Sequence, residues 1–277
     1  MARSDRGPAI KPPLPKIAKA DSGNKYELFT LPANLNSLAT VMDLKSSTRE
    51  LLKKFNRSFP QFYEQFVSSE AQLQNLKLAY QIYKTQQAAI EIKPEGDKTC
   101  LHFAYRNQSF LLSDIFGVLA IYGVTIHSLS LYGQTSDPML VFITLLVSRD
   151  RKPLSQKRAE KISQTIEAAI AGTLDVERIL RARALLDPGG NYVETQFYVD
   201  PVFHLPTLLV EADNHLALFY RVMRAIWQED LLVINANSIV WRGRIRLIFY
   251  LLGPNESSIP NYLGQKIADG VRQRLKR

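Results

Sequence analysis

Apolar and polar positions alternate with strand-like spacing over Cys100–Tyr105 and switch to helical spacing over Phe110–Tyr122. Two further strand-like runs follow at Val124–Tyr132 and Met139–Val147, then a second helical stretch at Leu154–Ala171. The same strand-helix-strand-strand-helix order runs again from Thr207 to Lys276. Register repeats along with order. Leu111, Ile115 and Leu119, spaced to form one apolar stripe of a helix, recur 107 residues later as Leu218, Val222 and Ile226. Val124 and Ile126 likewise correspond to Leu231 and Val233, after which the copies drift by a residue, and this predicts a bulge or an altered turn.

Upstream of the repeats, residues 31–95 read as a helical segment. Leu51, Leu52 and Phe55, then Leu73, Leu76, Leu78, Tyr80, Ile82 and Tyr83, keep helical spacing, and Pro60 marks a break between them. A segment this short is expected to pack on the first repeat rather than stand alone. Residues 1–30 carry six Lys or Arg against three acids, with Pro8, Pro12, Pro13 and Pro15 among them, and read as a disordered basic tail. The remaining expected divisions are a first unit at 96–172, a linker at 173–192, and a second unit with a preceding strand at 193–277.

Composition narrows the class. The 277 residues are 46% hydrophobic, enough for two cores. No apolar run reaches the roughly 18 residues that cross a bilayer, so a cytoplasmic protein without a membrane partner is expected. The single cysteine, Cys100, excludes an internal disulfide framework. The net charge of +9 favours acidic partners in general without identifying one.

The residues between the elements carry a resemblance. Asn107-Gln108-Ser109-Phe110-Leu111-Leu112 precedes Val124-Thr125-Ile126-His127-Ser128-Leu129, and Asn214-His215-Leu216-Ala217-Leu218-Phe219 leads into Tyr220-Arg221-Val222. With Val193-Glu194-Thr195 and Phe59-Pro60-Gln61-Phe62-Tyr63, this order resembles the C-terminal region of the bacterial PII uridylyltransferase and uridylyl-removing enzymes, which ends in two ACT domains. The resemblance covers roughly residues 55 to 277 and implies an α+β protein of two ferredoxin-like ACT domains with an N-terminal helical segment. It also implies a regulatory role tied to nitrogen or amino-acid status. The family's nucleotidyltransferase and hydrolase motifs are missing from this sequence, so a non-enzymatic protein is expected. Gly189-Gly190 after Asp187-Pro188 reads as a turn rather than a phosphate cradle.

In ACT domains the turn between first strand and first helix approaches a bound amino acid, and a glycine leaves room for it. The candidate ligand-binding residues are therefore Asn214, His215, Leu216 and Ala217 in the second turn, with Asn107, Gln108 and Ser109 in the first. Phe110 takes the glycine position in one copy and Ala217 in the other, so the second turn is the better candidate. Either asparagine also suits a plain helix cap. The expected partners are an amino acid or small metabolite, and a protein or second copy joined through the sheets. Arg242, Arg244 and Arg246 alternate along a predicted strand beside Trp241 and could meet phosphates, but without a nucleic-acid signature a solvated basic surface is the preferred reading. A nucleic-acid adaptor and a detached regulatory subunit are the alternatives. Cys100 and His102 share one strand face, and His127 suits a hydrogen-bonded structural role. No cofactor or metal is expected.

Overall fold

The computed structural model describes residues 44–276 apart from 61, 107–110, 135–139, 188–191, 242–243 and 254–257. The basic tail and the start of the helical segment lie outside this range. Eight helices and eight strands occupy the described residues. The strands form one antiparallel sheet in the order β1-β2-β4-β3-β7-β8-β6-β5. Three helices come first: α1 (Leu44–Asn56), α2 (Tyr63–Phe66) and α3 (Ser69–Thr85). Then follow β1 (Ala89–Glu95), β2 (Lys98–Arg106), α4 (Leu111–Ile121), β3 (Thr125–Gly133), β4 (Leu140–Ser148) and α5 (Gln156–Ile170). After α6 (Val176–Ala182) the same order returns as β5 (Val193–Val199), β6 (Pro206–Asp213), α7 (Leu218–Trp227), β7 (Leu232–Trp241), β8 (Arg244–Leu252) and α8 (Asn261–Lys276).

Two sequence expectations change here. The region read as wholly helical ends in the strand β1, which turns into β2 through Gly96 and Asp97, with Gly96 at φ +59° as a two-residue hairpin turn requires. The region read as a linker contains α6, capped by Asp175, whose carboxylate accepts from the Arg178 amide at 3.0 Å. The repeated unit is thus one strand longer than the apolar pattern indicated.

The drift between copies has a local cause. Each unit carries a register shift at the same place, between Ile126 and Ser128 in β3 and between Val233 and Asn235 in β7. The bulge is therefore duplicated and does not separate the copies. Leu101 pairs with Leu145 and its equivalent Leu208 pairs with Phe249, so an offset of 107 on one strand meets an offset of 104 on the next. The change falls in the β3–β4 and β7–β8 connections, residues 134–139 in one unit against 242–243 in the other.

The two units meet where β3 pairs with β7. Ser130 faces its own equivalent Asn237, which places a pseudo-twofold axis at that pair. Buried side chains extend the seam: Asn235 Nδ2 donates to the Leu131 carbonyl at 2.8 Å, and Ser238 Oγ accepts from the Leu129 amide at 2.7 Å. Burying these polar groups is tolerable because each has a partner. Above the seam α4 packs on α7, with the rings of Phe116 and Phe219 stacked at 5.3 Å. Ile115, Leu119, Leu218, Val222 and Ile226 are buried in one core that runs through both units. On the opposite face, Phe55 and Tyr63 of the N-terminal helices, with Phe59 and Phe62 between them, cover Ala89, Ala104, Phe142 and Tyr132. That cover reaches the second unit through Phe62 and Phe66 against Phe203 and Tyr250.

Candidate functional site

The second turn leads from β6 into α7, whose first residue follows Ala217. Ala217 serves as the N-cap and no side chain caps the helix, so Asn214 does not take the capping role its residue type suits. Leu218 N donates instead to the His215 carbonyl at 3.1 Å, closing the turn. An uncapped first turn presents amide donors and the positive end of the helix dipole.

Asn214, His215 and Leu216 line a pocket of about 130 Å³ together with Phe219 and, from the other unit, Val124, Thr125 and Ile126. The turn of one unit thus faces the first residues of β3 across the seam. Ala217 is not in this wall: it is fully buried in the core. Val124, Thr125, Ile126 and Phe219 were not singled out as site residues by the sequence, since the pattern assigns them to ordinary strand and helix positions.

The pseudo-twofold axis supplies a control within the same chain. Leu231, Leu232 and Val233 stand 107 residues after Val124, Thr125 and Ile126, and Leu112 stands 107 before Phe219. These four line the second pocket, of about 30 Å³, which Met223 and Trp227 help to close. The equivalent position is therefore smaller, and Leu232 replaces the Thr125 hydroxyl. The first-turn candidates Asn107, Gln108, Ser109 and Phe110 lie outside the described residues.

Electrostatics distinguish the larger pocket further. Burial pushes the His215 imidazole down to about 4, the Arg221 guanidinium adds to the effect, and Asp213 opposes it. His215 is therefore neutral at pH 7, one ring nitrogen a donor and the other an acceptor. Arg221 is itself half-buried, and its Nη2 donates to the carbonyls of Leu275 at 2.7 Å and Arg274 at 3.3 Å, tying α7 to the end of α8. The pocket accordingly offers Asn214, His215 and Thr125 as hydrogen-bonding groups beside apolar surface from Val124, Ile126, Leu216 and Phe219.

The depressed histidine has a consequence for stability. Its folded pKa lies below the ordinary 6.5, so the unfolded chain takes up the proton first. The contribution of the neutral ring is complete above about pH 6.5 and is lost as the pH falls toward about 4. His215→Gln is expected to lose less melting temperature than the parent between those limits. Parallel melting curves across the range would contradict it.

The other candidates sit elsewhere. Arg244 and Arg246 lie on the open face of β8, opposite Ile245, Leu247 and Phe249, which are fully buried. Both arginines are held by Glu211, at 3.7 Å and 2.8 Å, and Arg244 also stacks on the Tyr192 ring at 3.7 Å. Arg242 lies outside the described residues. His127, at the bulge of β3, hydrogen-bonds the Ser148 hydroxyl at 2.7 Å. Cys100 and His102 share a face, with Sγ 3.1 Å from Nε2, and His102 Nδ1 lies 3.1 Å from the Thr144 hydroxyl. Burial pushes the thiol up to about 12 and the imidazole down, so neither group is charged at pH 7. Among the described residues no three His, Cys, Asp or Glu are grouped to hold a metal, and no helix is long and apolar enough to cross a membrane. No protein-family model matches the chain, and no curated protein matches it.

Proposed function

We propose that this chain is a non-enzymatic regulatory protein of two ACT-type, ferredoxin-like units, similar to the C-terminal region of PII uridylyltransferases. In this reading it binds an amino acid or a metabolite of similar size between the second turn and the start of β3. The observation that carries the reading is the inequality of two equivalent positions: about 130 Å³ with Asn214, His215 and Thr125 at one, about 30 Å³ with Leu232 in the place of Thr125 at the other. The helix-terminal amides suit a carboxylate, the neutral histidine and the Thr125 hydroxyl suit a second polar group, and Ile126 with Phe219 suits an apolar side chain. The cytoplasmic setting, and a partner protein to receive the signal, belong to the same proposal. A nucleic-acid role has less support, because Glu211 occupies both described arginines of the row.

A thermal-shift screen of the twenty amino acids and the common nucleotides tests this directly. A ligand at a hundredfold its dissociation constant stabilises the fold by about 2.7 kcal/mol. His215→Phe, which fills the larger pocket, is expected to abolish the response, and Leu232→Phe at the smaller position is expected to leave it. Stabilisation that survives His215→Phe would remove the site from this pocket.

A further inference from the structure

The sheet has two outer edges, and they are treated differently. β1 carries Lys93 and Pro94, and Gln74 of α3 donates to the Glu91 carboxylate on it. A lysine and a proline on an outer strand obstruct pairing with another chain. β5 closes the other end with Val193-Glu194-Thr195-Gln196-Phe197-Tyr198-Val199, which contains neither residue. Its inner side chains are fixed: Thr195 Oγ1 donates to the Ala268 carbonyl at 2.8 Å, and Phe197 packs on Gly264 of α8. Val199, at its end, is 39% exposed.

The backbone direction of β5 follows from its pairing. Asp213 N donates to Tyr192 O at 3.2 Å, and Asp200 N donates to Leu205 O at 2.9 Å. Both bonds fall on even-numbered residues of one antiparallel register with β6. The even positions therefore bond inward, and the N–H and C=O groups of Val193, Thr195, Phe197 and Val199 point away from the sheet. A second β5 laid antiparallel about Gln196 sets Val193 against Val199 and Thr195 against Phe197, so every outward group finds a partner. The same register sets Glu194 against Tyr198, a carboxylate against a hydroxyl, and brings no like charges together.

We infer that β5 is the seam of a homodimer, pairing with β5 of a second copy about Gln196 to continue the sheet from one molecule into the next. The seam is independent of the ligand pocket, which lies at the centre of each chain. Light scattering on the full chain is expected to give twice the 31.5 kDa mass, and Val199→Pro, which removes an outward N–H and no bond within the chain, is expected to return it to the single mass with an unchanged circular dichroism spectrum. Across the axis Gln196 would meet its own copy as a non-hydrogen-bonded pair with Cα atoms about 4.5 Å apart, within disulfide range. Gln196→Cys is therefore expected to cross-link on oxidation, and Glu194→Cys to fail because its partner is Tyr198. A single mass at every concentration, a dimer that survives Val199→Pro, or equal cross-linking by the two cysteine variants would overturn the proposal.

Discussion

Val222→Asp is expected to destabilise the whole chain by about 3–5 kcal/mol, the usual cost of an uncompensated buried charge. Val222 is fully buried on α7, and its equivalent Ile115 is fully buried on α4. The core that holds them does not stop at the seam, since Phe116 of one unit stacks on Phe219 of the other. The loss is therefore expected as one cooperative transition moved to lower denaturant, not as early melting of the second unit alone. Because domains are stable by only about 5–15 kcal/mol, the shift is large. Denaturant titration followed by circular dichroism reads it. An unchanged midpoint would mean that the helix stripe does not face the sheet.

A smaller substitution is also expected to destabilise the chain at Gly264. A Cβ there would lie 2.0 Å from both Cδ1 and Cε1 of Phe197, where real Cβ atoms do not sit. Alanine normally gains about 1 kcal/mol over glycine inside a helix. Overpacking costs typically 1–3 kcal/mol and more when a ring must be displaced. Gly264→Ala is therefore expected to be net destabilising, because α8 has to lift from β5. In a Phe197→Ala background the obstruction is gone and the same change is expected to become neutral or stabilising. A double-mutant cycle measures the reversal. Additive effects would show that the ring and the glycine do not touch.

The helix stripes and the order of elements were readable because a buried helix on a sheet must place apolar residues three and four apart. Leu218, Val222 and Ile226 follow that rule and are buried. β1 was readable in principle. Ile90 and Ile92 alternate with Glu91 and Lys93 ahead of Gly96-Asp97, a two-residue hairpin signal, but the neighbouring helical pattern masked it. The duplicated bulge was not readable, since an extra residue present in both copies leaves the offset between them unchanged. Nor could the sequence join Thr125 to His215. Ninety residues separate them along the chain, and it is the pairing of β3 with β7 and the packing of α4 on α7 that bring their units together. Ala217 differs again: its small size marked it as open space, whereas in the fold that size lets the turn pack into the core.

The central claim is that a small molecule bridges the two units at one of two equivalent positions. Its most direct measurement is an amide-resolved NMR titration of the full chain with each amino acid that raises its melting temperature. The account predicts shifts concentrated at Asn214, His215 and Leu216 and, across the seam, at Val124, Thr125 and Ile126, with Leu231, Leu232 and Val233 left in place. Shifts centred on Leu231–Val233, or a stabilising ligand that moves neither set, would contradict it.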